Sequence, residues 1–434
     1  VELLDQLRGL IGIVFLVMLA WGLSENRMAR PGWRWIGGAL LLQVIIALVV
    51  TRVPVVWTLV GYANSGVAAI EKATLVGSAY MFGYTGGAPI PFLLKPGESE
   101  PVVVAFQILP LIIVFSALAA LLWHWGALKA AVKGLSWSLR KTLGVSGVVG
   151  LGAGSSIFLG VVETPLVLKA WFARMSRSDL FSVMVIIMST ISGATLVLYA
   201  TTLREVVPNA VGHMIVASLI SLPAAILLAR LMVPPTAVQD DATASDAPDS
   251  KAQATHAEPE LAYEGSMDAI IRGTMDGVQL VLAVIGVIIV IFALVNLVDQ
   301  VLALLPLIDG ELLTLRRIFG WVFAPLMWAI GIPWDQAISA GSYMGTKSIL
   351  NEYVAFLDLA AIEPGTLDPR SLVILTYALS GFANLASVGL IVSTIGSLCP
   401  DKRAEVAGLG MKSWLAGNMA SLMTGAVIGI VTWS

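Results

Sequence analysis

Charged residues are scarce inside the apolar stretches of this 434-residue chain, and three stand out: Glu163, Lys347 and Glu352. One unpaired charge at the centre of a bilayer costs roughly 3 kcal/mol on insertion scales, so a carboxylate kept there is expected to have a task. Glu163 lies in Gly160-Val161-Val162-Glu163-Thr164-Pro165, and Glu352 ends Gly345-Thr346-Lys347-Ser348-Ile349-Leu350-Asn351-Glu352; each run falls in a short hydrophobic hairpin. Each hairpin precedes an apolar stretch interrupted by small and polar residues, at Thr190-Ile191-Ser192-Gly193-Ala194 and between Gly381 and Ser387. Asn351, Asn384 and Ser387 add hydrogen-bonding groups beside the acids. Carboxylates accept and amides both donate and accept, a set that suits a neutral ligand rich in hydroxyls. An anionic ligand would call for arginine, and none sits in these segments. Lys347 reads as a structural partner.

These residues need a frame that tolerates them. The chain is 58% hydrophobic and 12% charged, where a soluble domain carries about 25% charged residues. Its mean hydropathy is +0.89. Such a chain lacks the polar surface to cover itself in water, and lipid is the solvent that fits. A bilayer core of about 30 Å needs about 20 apolar residues in a helix. Candidates are 8–23, 36–52, 102–123, 212–233, 278–298, 318–331 and 408–432, with 180–200 and 370–398 hydrophobic but broken. Breaks inside a membrane persist only where protein or a water-lined cavity satisfies the freed backbone. Residues 53–76 and 124–145 are amphipathic and are expected to lie along the interface. The fold class is therefore an all-α polytopic membrane protein.

Basic residues cluster at Arg27, Arg30 and Arg34, at Lys129, Lys133, Arg140 and Lys141, and at Lys169, Arg174 and Arg177, which places these loops in the cytoplasm and the N-terminus outside. Segment 234–266, rich in Ala, Asp, Ser, Pro and Glu, reads as a flexible cytoplasmic linker between two halves. The halves echo each other in their hairpins and broken helices, and matched interruptions of this kind point to a transporter's binding site. An odd number of spans between the copies would invert the second. The first apolar segment is followed by Ser24-Glu25-Asn26-Arg27 and is read as a retained helix.

Other classes find less support. His124, His213 and His256 lie apart, and no metal-ligand spacing appears, so an intramembrane enzyme and a metal centre are not expected. The single cysteine, Cys399, is expected to pack as a small hydrophobe. A net charge of −3 speaks against nucleic acid as a partner. A gated channel remains an alternative, since broken helices also line pores, and saturable, gradient-coupled flux would separate the two.

Several stretches together resemble the concentrative nucleoside transporter family over nearly the whole chain. They are Phe106-Gln107-Ile108-Leu109-Pro110 with Phe115-Ser116-Ala117-Leu118, Gly160 to Leu166, Asn351-Glu352-Tyr353-Val354-Ala355, and Gly381-Phe382-Ala383-Asn384-Leu385. The resemblance implies a homotrimer in the bacterial inner membrane. Each protomer would have about eight transmembrane helices, interfacial helices and two re-entrant hairpins in inverted repeats, working as an elevator. It divides the chain into scaffold helices with an interfacial helix (1–145), a first transport repeat (146–233), the linker (234–266), a scaffold helix with an interfacial segment (267–332) and a second transport repeat (333–434). It implies that Glu352, Asn384 and Ser387 hold ribose, with Asn351 beside them, that Glu163 helps hold the base, and that Phe382 lines the site.

Two departures from the family pattern bear on function. The usual hairpin reads Gly-Gln-Thr-Glu, and here Val161 and Val162 replace the amide and hydroxyl that would bond the base. A site without those groups loses the discrimination they give, so base preference is expected to shift, with Thr195 as a substitute contact. The family's sodium site uses an Asn and a Ser side chain plus backbone carbonyls; here Ser156 and Thr190 stand there, with Leu159 and Ile191 as carbonyl donors. A serine is shorter than an asparagine, and a hard cation needs several close oxygens. Proton-coupled relatives tend to carry serine at this position. The expectation is therefore a nucleoside symporter driven by protons, with Glu163 or Glu352 as carrier. Sodium coupling, or a related-fold carrier of another nucleoside-like solute, is the alternative. No cofactor is expected.

Overall fold

The computed structural model describes residues 2–29, 31–93, 102–235, 262–308 and 310–432. Their regular structure is helical, with one isolated bridge between Ile308 and Glu311. The chain opens with α1 (Glu2–Gly22), α2 (Trp33–Arg52) and α3 (Pro54–Phe82). Then come α4 (Val104–Gln107), α5 (Pro110–His124), α6 (Ala127–Leu143), α7 (Gly147–Ser156), α8 (Glu163–Leu168), α9 (Arg177–Ser189), α10 (Gly193–Thr202) and α11 (Ala210–Met232). The second half holds α12 (Ser266–Leu302), α13 (Leu315–Ala329), α14 (Trp334–Gly345) with a π-helical extension (Thr346–Leu350), α15 (Glu352–Ala360), α16 (Pro369–Leu379), α17 (Leu385–Leu398) and α18 (Arg403–Val431).

From α5 onward, both halves follow one order: a long helix, an amphipathic helix, a hairpin, a broken helix and a closing helix. Local chemistry starts many of the short pieces. Ser146, Ser176, Ser192, Asn351, Asp368 and Asn384 each cap the helix that follows by accepting a backbone N–H. The breaks are therefore written into residue type: the helix stops, an extended residue intervenes, and a capping side chain starts the next one.

Glycine sets the close packing. On α12, Gly273 and Gly277 stand four residues apart against α5, where an added Cβ would come within 2.7 Å of the Ser116 carbonyl oxygen or of Ile113 Cα. Small residues at this spacing let helices touch backbone to backbone. Each hairpin rests on its amphipathic helix in the same way. A Cβ on Gly154 of α7 would meet the Val132 carbonyl of α6 at 2.7 Å, and one on Gly341 of α14 would meet the Gly320 carbonyl of α13 at 2.6 Å. The rest of α12 is mostly open, with Leu282, Ile289, Leu297 and Val301 all more than half exposed.

One expectation changes: stretch 318–331 does not form a span of its own, since α13 is a 15-residue helix that meets α14 at a bend of 118°. At 1.5 Å per residue it covers about 22 Å, short of a bilayer core. The first two helices pack on α11 and α18, and α5 packs on α12. Among the described residues, six helices are long and apolar enough to cross a membrane: α2, α4–α5, α9–α10, α11, α12 and the segment ending in α18. Stretches 53–76 and 124–145 correspond to α3 and α6, neither of which is among the six. Of the linker, 236–261 lies outside the described residues, as does His256.

An ionic cluster joins the turn after α1 to the start of α9 and to α18. Glu25 accepts two hydrogen bonds from Arg177, at 2.8 and 3.0 Å, and one from Lys412 at 2.5 Å, and its backbone N–H donates to the Met232 carbonyl. The Arg177 guanidinium, with Lys412 behind it, pulls the Glu25 carboxyl down to about 2 from its ordinary 4.5. A depressed acid stabilises the fold above its unfolded value and loses that contribution as pH falls through the folded one. Both basic partners are about two-fifths exposed, so solvent screening holds the gain to about 1 kcal/mol or less. E25Q should lower the melting temperature in detergent slightly at neutral pH and low salt. The difference from the parent should vanish in high salt, and it should shrink as pH drops from about 4.5 toward 2.

Candidate functional site

The two broken helices cross where they are interrupted. Thr190 is extended, and its carbonyl accepts the Phe382 N–H from the other break at 3.3 Å. The Phe382 carbonyl in turn accepts from Asn384 N–H at 2.8 Å. Gly381 leaves no room for a side chain, since a Cβ there would lie 2.6 Å from Ser421 Oγ. The closing helix α18 backs the crossing through Gly417, packed on Met188 and Ala383. Hairpin α7–α8 reaches the same place: the Phe158 carbonyl accepts Gly193 N–H at 3.3 Å, and Ser218 of α11 accepts Ile191 N–H at 3.4 Å. Backbone groups freed by the breaks thus find partners within the protein, as a membrane interior requires.

Glu352 sits beside this crossing, 3% exposed. Its Oε1 accepts from the Tyr199 hydroxyl at 2.8 Å and its Oε2 from Asn384 Nδ2 at 2.5 Å. Asn384 Oδ1 is already committed as the cap of α17, accepting Ser387 N–H at 2.7 Å. That bond decides which way the amide faces, and its NH2 group is left to point at the carboxylate. Asn351 caps α15 by accepting Tyr353 N–H at 2.8 Å. Lys347 is wholly buried in the π-helical turn and donates to Asn418 Oδ1 at 2.9 Å, which also accepts from Ser348 Oγ. Asn418 Nδ2 donates to the Ala383 carbonyl in the break, so α18 clasps both the hairpin and the crossing.

The structure therefore joins Glu352, Asn384 and Ser387 in one hydrogen-bonded chain, and Thr190 with Phe382 through the backbone. Other expected residues are tied locally. Thr195 shares a 2.8 Å bond with Ser192 Oγ, its own helix cap. Ser156 donates to the Ala153 carbonyl and Thr190 to the Ile186 carbonyl, each at 3.0 Å, so both hydroxyl protons are spent on their own helices while oxygen lone pairs remain. The Leu159 carbonyl accepts from Thr164 Oγ1 at 3.4 Å. Ile191 is fully buried. Glu163 starts α8 and folds back over Gly160, where a Cβ would lie 2.5 Å from its Oε2. Val161 joins the core, whereas Val162 is 39% exposed. Of the remaining residues singled out, Cys399 is buried, and His213 Nδ1 is hydrogen-bonded to Tyr377.

Tyr199 and Asn418 were not expected from sequence. A tyrosine in an apolar helix reads as core, although Tyr199 follows Thr195 by one helical turn and so shares its face. Asn418 carried a plainer signal, an amide within the apolar stretch 408–432.

Comparison with known proteins decides the family. Residues 213–429 match the profile described as the Na+ dependent nucleoside transporter C-terminus, 11–85 match its N-terminus, and 105–205 match a nucleoside recognition gate. The chain belongs to the concentrative nucleoside transporter family. It is a multi-pass membrane protein and a nucleoside transporter, not an enzyme. It is 30% identical to the nucleoside permease NupC of Helicobacter pylori, over 98% of both chains. Against an uncharacterized transporter of Bacillus subtilis, YutK, it is 31% identical over 98% of this chain and all of the relative. The structure of CNTnw in an inward-facing substrate-bound state superposes with a TM-score of 0.83 at 29% identity, covering 98% of each chain.

Family membership gives the Asn384 geometry a test. N384S keeps a good helix cap but is too short to reach Glu352. Losing a hydrogen bond to a charged group costs about 1.5–3 kcal/mol. The variant should melt measurably below the parent temperature and, on the reading that Glu352 receives substrate, bind nucleoside at least about tenfold more weakly, as read by titration calorimetry.

Proposed function

We propose that the chain is a secondary active symporter that imports nucleosides across the bacterial inner membrane, driven by a proton gradient. The observation that carries this reading is the Glu352 carboxylate, held by Tyr199 and Asn384 beside two crossing helix breaks. In it, Glu352, Asn384, Ser387 and Asn351 form the ribose side of the site. Glu163, Val162 and Thr195 form the base side, with Val161 behind them and Phe382 between the two.

The six long apolar helices, together with α1 and the broken α16–α17, make the eight spans. The hairpins α7–α8 and α14–α15 re-enter from opposite faces. Three crossings (α4–α5, α9–α10 and α11) separate the start of one repeat from the next, which inverts the second copy. The pair α5 and α12 forms the scaffold and, through the open apolar face of α12, the centre of a homotrimer. We place α1 and α2 with the moving body, because they pack on α11 and α18. Transport is alternating access: the loaded body, stabilised by its cation and substrate, moves past the scaffold as an elevator.

Proton coupling follows from the cation position. Ser156 is shorter than the asparagine that the family pattern carries there, so its oxygen reaches less far toward a cation, which needs several close oxygens. Glu163 or Glu352 would be the proton carrier. The family profile favours the second reading, sodium held by Ser156, Thr190 and the Leu159 and Ile191 carbonyls.

Uptake of labelled uridine and adenosine into proteoliposomes separates these readings. Uptake should follow an imposed pH gradient and ignore a sodium gradient, and the reverse result establishes sodium as the driver. Uptake of neither nucleoside would move the chain to another solute. In the same assay, V161Q combined with V162T should change the uridine-to-adenosine ratio by about tenfold, the worth of one or two hydrogen bonds to the base. An unchanged ratio would remove these valines from base recognition.

A further inference from the structure

Tyr199 reaches the site from the first repeat, while Glu352 and Asn384 come from the second. Its hydroxyl is 2.8 Å from Glu352 Oε1, and the residue is 2% exposed. The ring cannot swing freely. It is stacked on Tyr353, with centroids 5.6 Å apart and planes 19° from parallel, and it leans on Phe356 at 5.0 Å. Both neighbours belong to α15, the helix that begins with Glu352. One aromatic contact therefore sets the height of the phenol oxygen against the acid at the start of the same helix.

An ionised carboxylate offers about four acceptor positions and no donor. Tyr199 takes one on Oε1 and Asn384 takes one on Oε2. Acceptor capacity remains on the carboxylate for further donors. We propose that Tyr199 is a positioning residue of the sugar subsite: its hydroxyl fixes the orientation in which the Glu352 carboxylate receives a vicinal diol. A single hydroxyl donates to it once, and a diol twice. The phenol therefore contributes to selectivity for ribonucleosides over nucleosides lacking the diol, without touching the substrate. This rests on the reading that Glu352 receives sugar hydroxyls.

The test uses the full-length protein in proteoliposomes, with uridine and 2′,3′-dideoxyuridine as substrates and E352Q as the control for that reading. Y199F keeps the ring and its stacking and removes only the hydroxyl. It should raise KM for uridine about tenfold, keep Vmax within about twofold, and narrow the preference for uridine over the dideoxy compound by a similar factor, the worth of one hydrogen bond to a charged acceptor. A merely structural role would lower the amount of folded protein or Vmax for both substrates and leave the preference intact, and that result overturns the proposal. If Y199F yields no folded protein, 4-fluorophenylalanine at the same position keeps the shape and removes the donor. It should raise KM for uridine and narrow the preference over the dideoxy compound as Y199F does, and an unchanged preference overturns the proposal. E352Q with parental KM for uridine overturns the underlying reading as well. Loss of uridine affinity in E352Q with Y199F unchanged overturns the role of Tyr199 alone.

Discussion

A carboxylate buried in an apolar helical protein must have its oxygens satisfied by hydrogen bonds, and the architecture around Glu352 is arranged to do that from two directions. Asn384 reaches it from the break between α16 and α17, and Tyr199 from α10 beyond the other break. Neither donor could be so placed on an unbroken helix of its own. Asn384 stands at a helix start, where its oxygen is consumed as a cap and its nitrogen is freed. Thr190 and Phe382 bind the two breaks together through their backbone, and α18 holds both from behind through Gly417 and Asn418. The acid, the breaks and the closing helix are therefore one device: removing any of them strands polar groups where water cannot serve them.

That dependence explains where small residues occur. Hairpins that must lie directly on their amphipathic helices carry glycine at the contact, as do α12 against α5 and α18 against the crossing. Apolar side chains gain little by associating in lipid, so helices there cohere through close van der Waals contact and hydrogen bonds. The outcome is a densely packed body of α1, α2, α9, α11, α16 and α18, with α5 and α12 packed closely on each other.

Family membership and the local chemistry bear on different questions. Membership establishes a nucleoside transporter. The chain's own residues bear on what it can distinguish: the Glu352 side is rich in polar groups, while the Gly160 to Glu163 run carries Val161 and Val162 where the family pattern has an amide and a hydroxyl. On the proposed reading, the sugar would be read by hydrogen bonds and the base would face an apolar wall together with one acid.

What was legible in the sequence was what depends on single residues and their neighbours. Apolar runs long enough for a bilayer announced most of the long helices, because partition into lipid is nearly additive along a segment. The runs around Ser192 and Asn384 announced helix breaks, because glycine and small polar residues weaken a helix. Glu163, Glu352, Asn384 and Ser387 stood out, because polar groups in apolar stretches are costly. The extent of α13 was misjudged: an apolar run does not record where the chain bends away. Tyr199 was missed for a deeper reason. Its partner lies 153 residues away, and nothing in an apolar helix marks one tyrosine as a hydrogen-bond donor to an acid in the other repeat. Lys347 and Asn418, 71 residues apart, were likewise joined only by packing. Composition and local caps determined which pieces form and which residues are too costly to be idle; the meeting of the two breaks determined their partners, because a buried acceptor selects its donors by distance in space, and only the tertiary fold sets that distance.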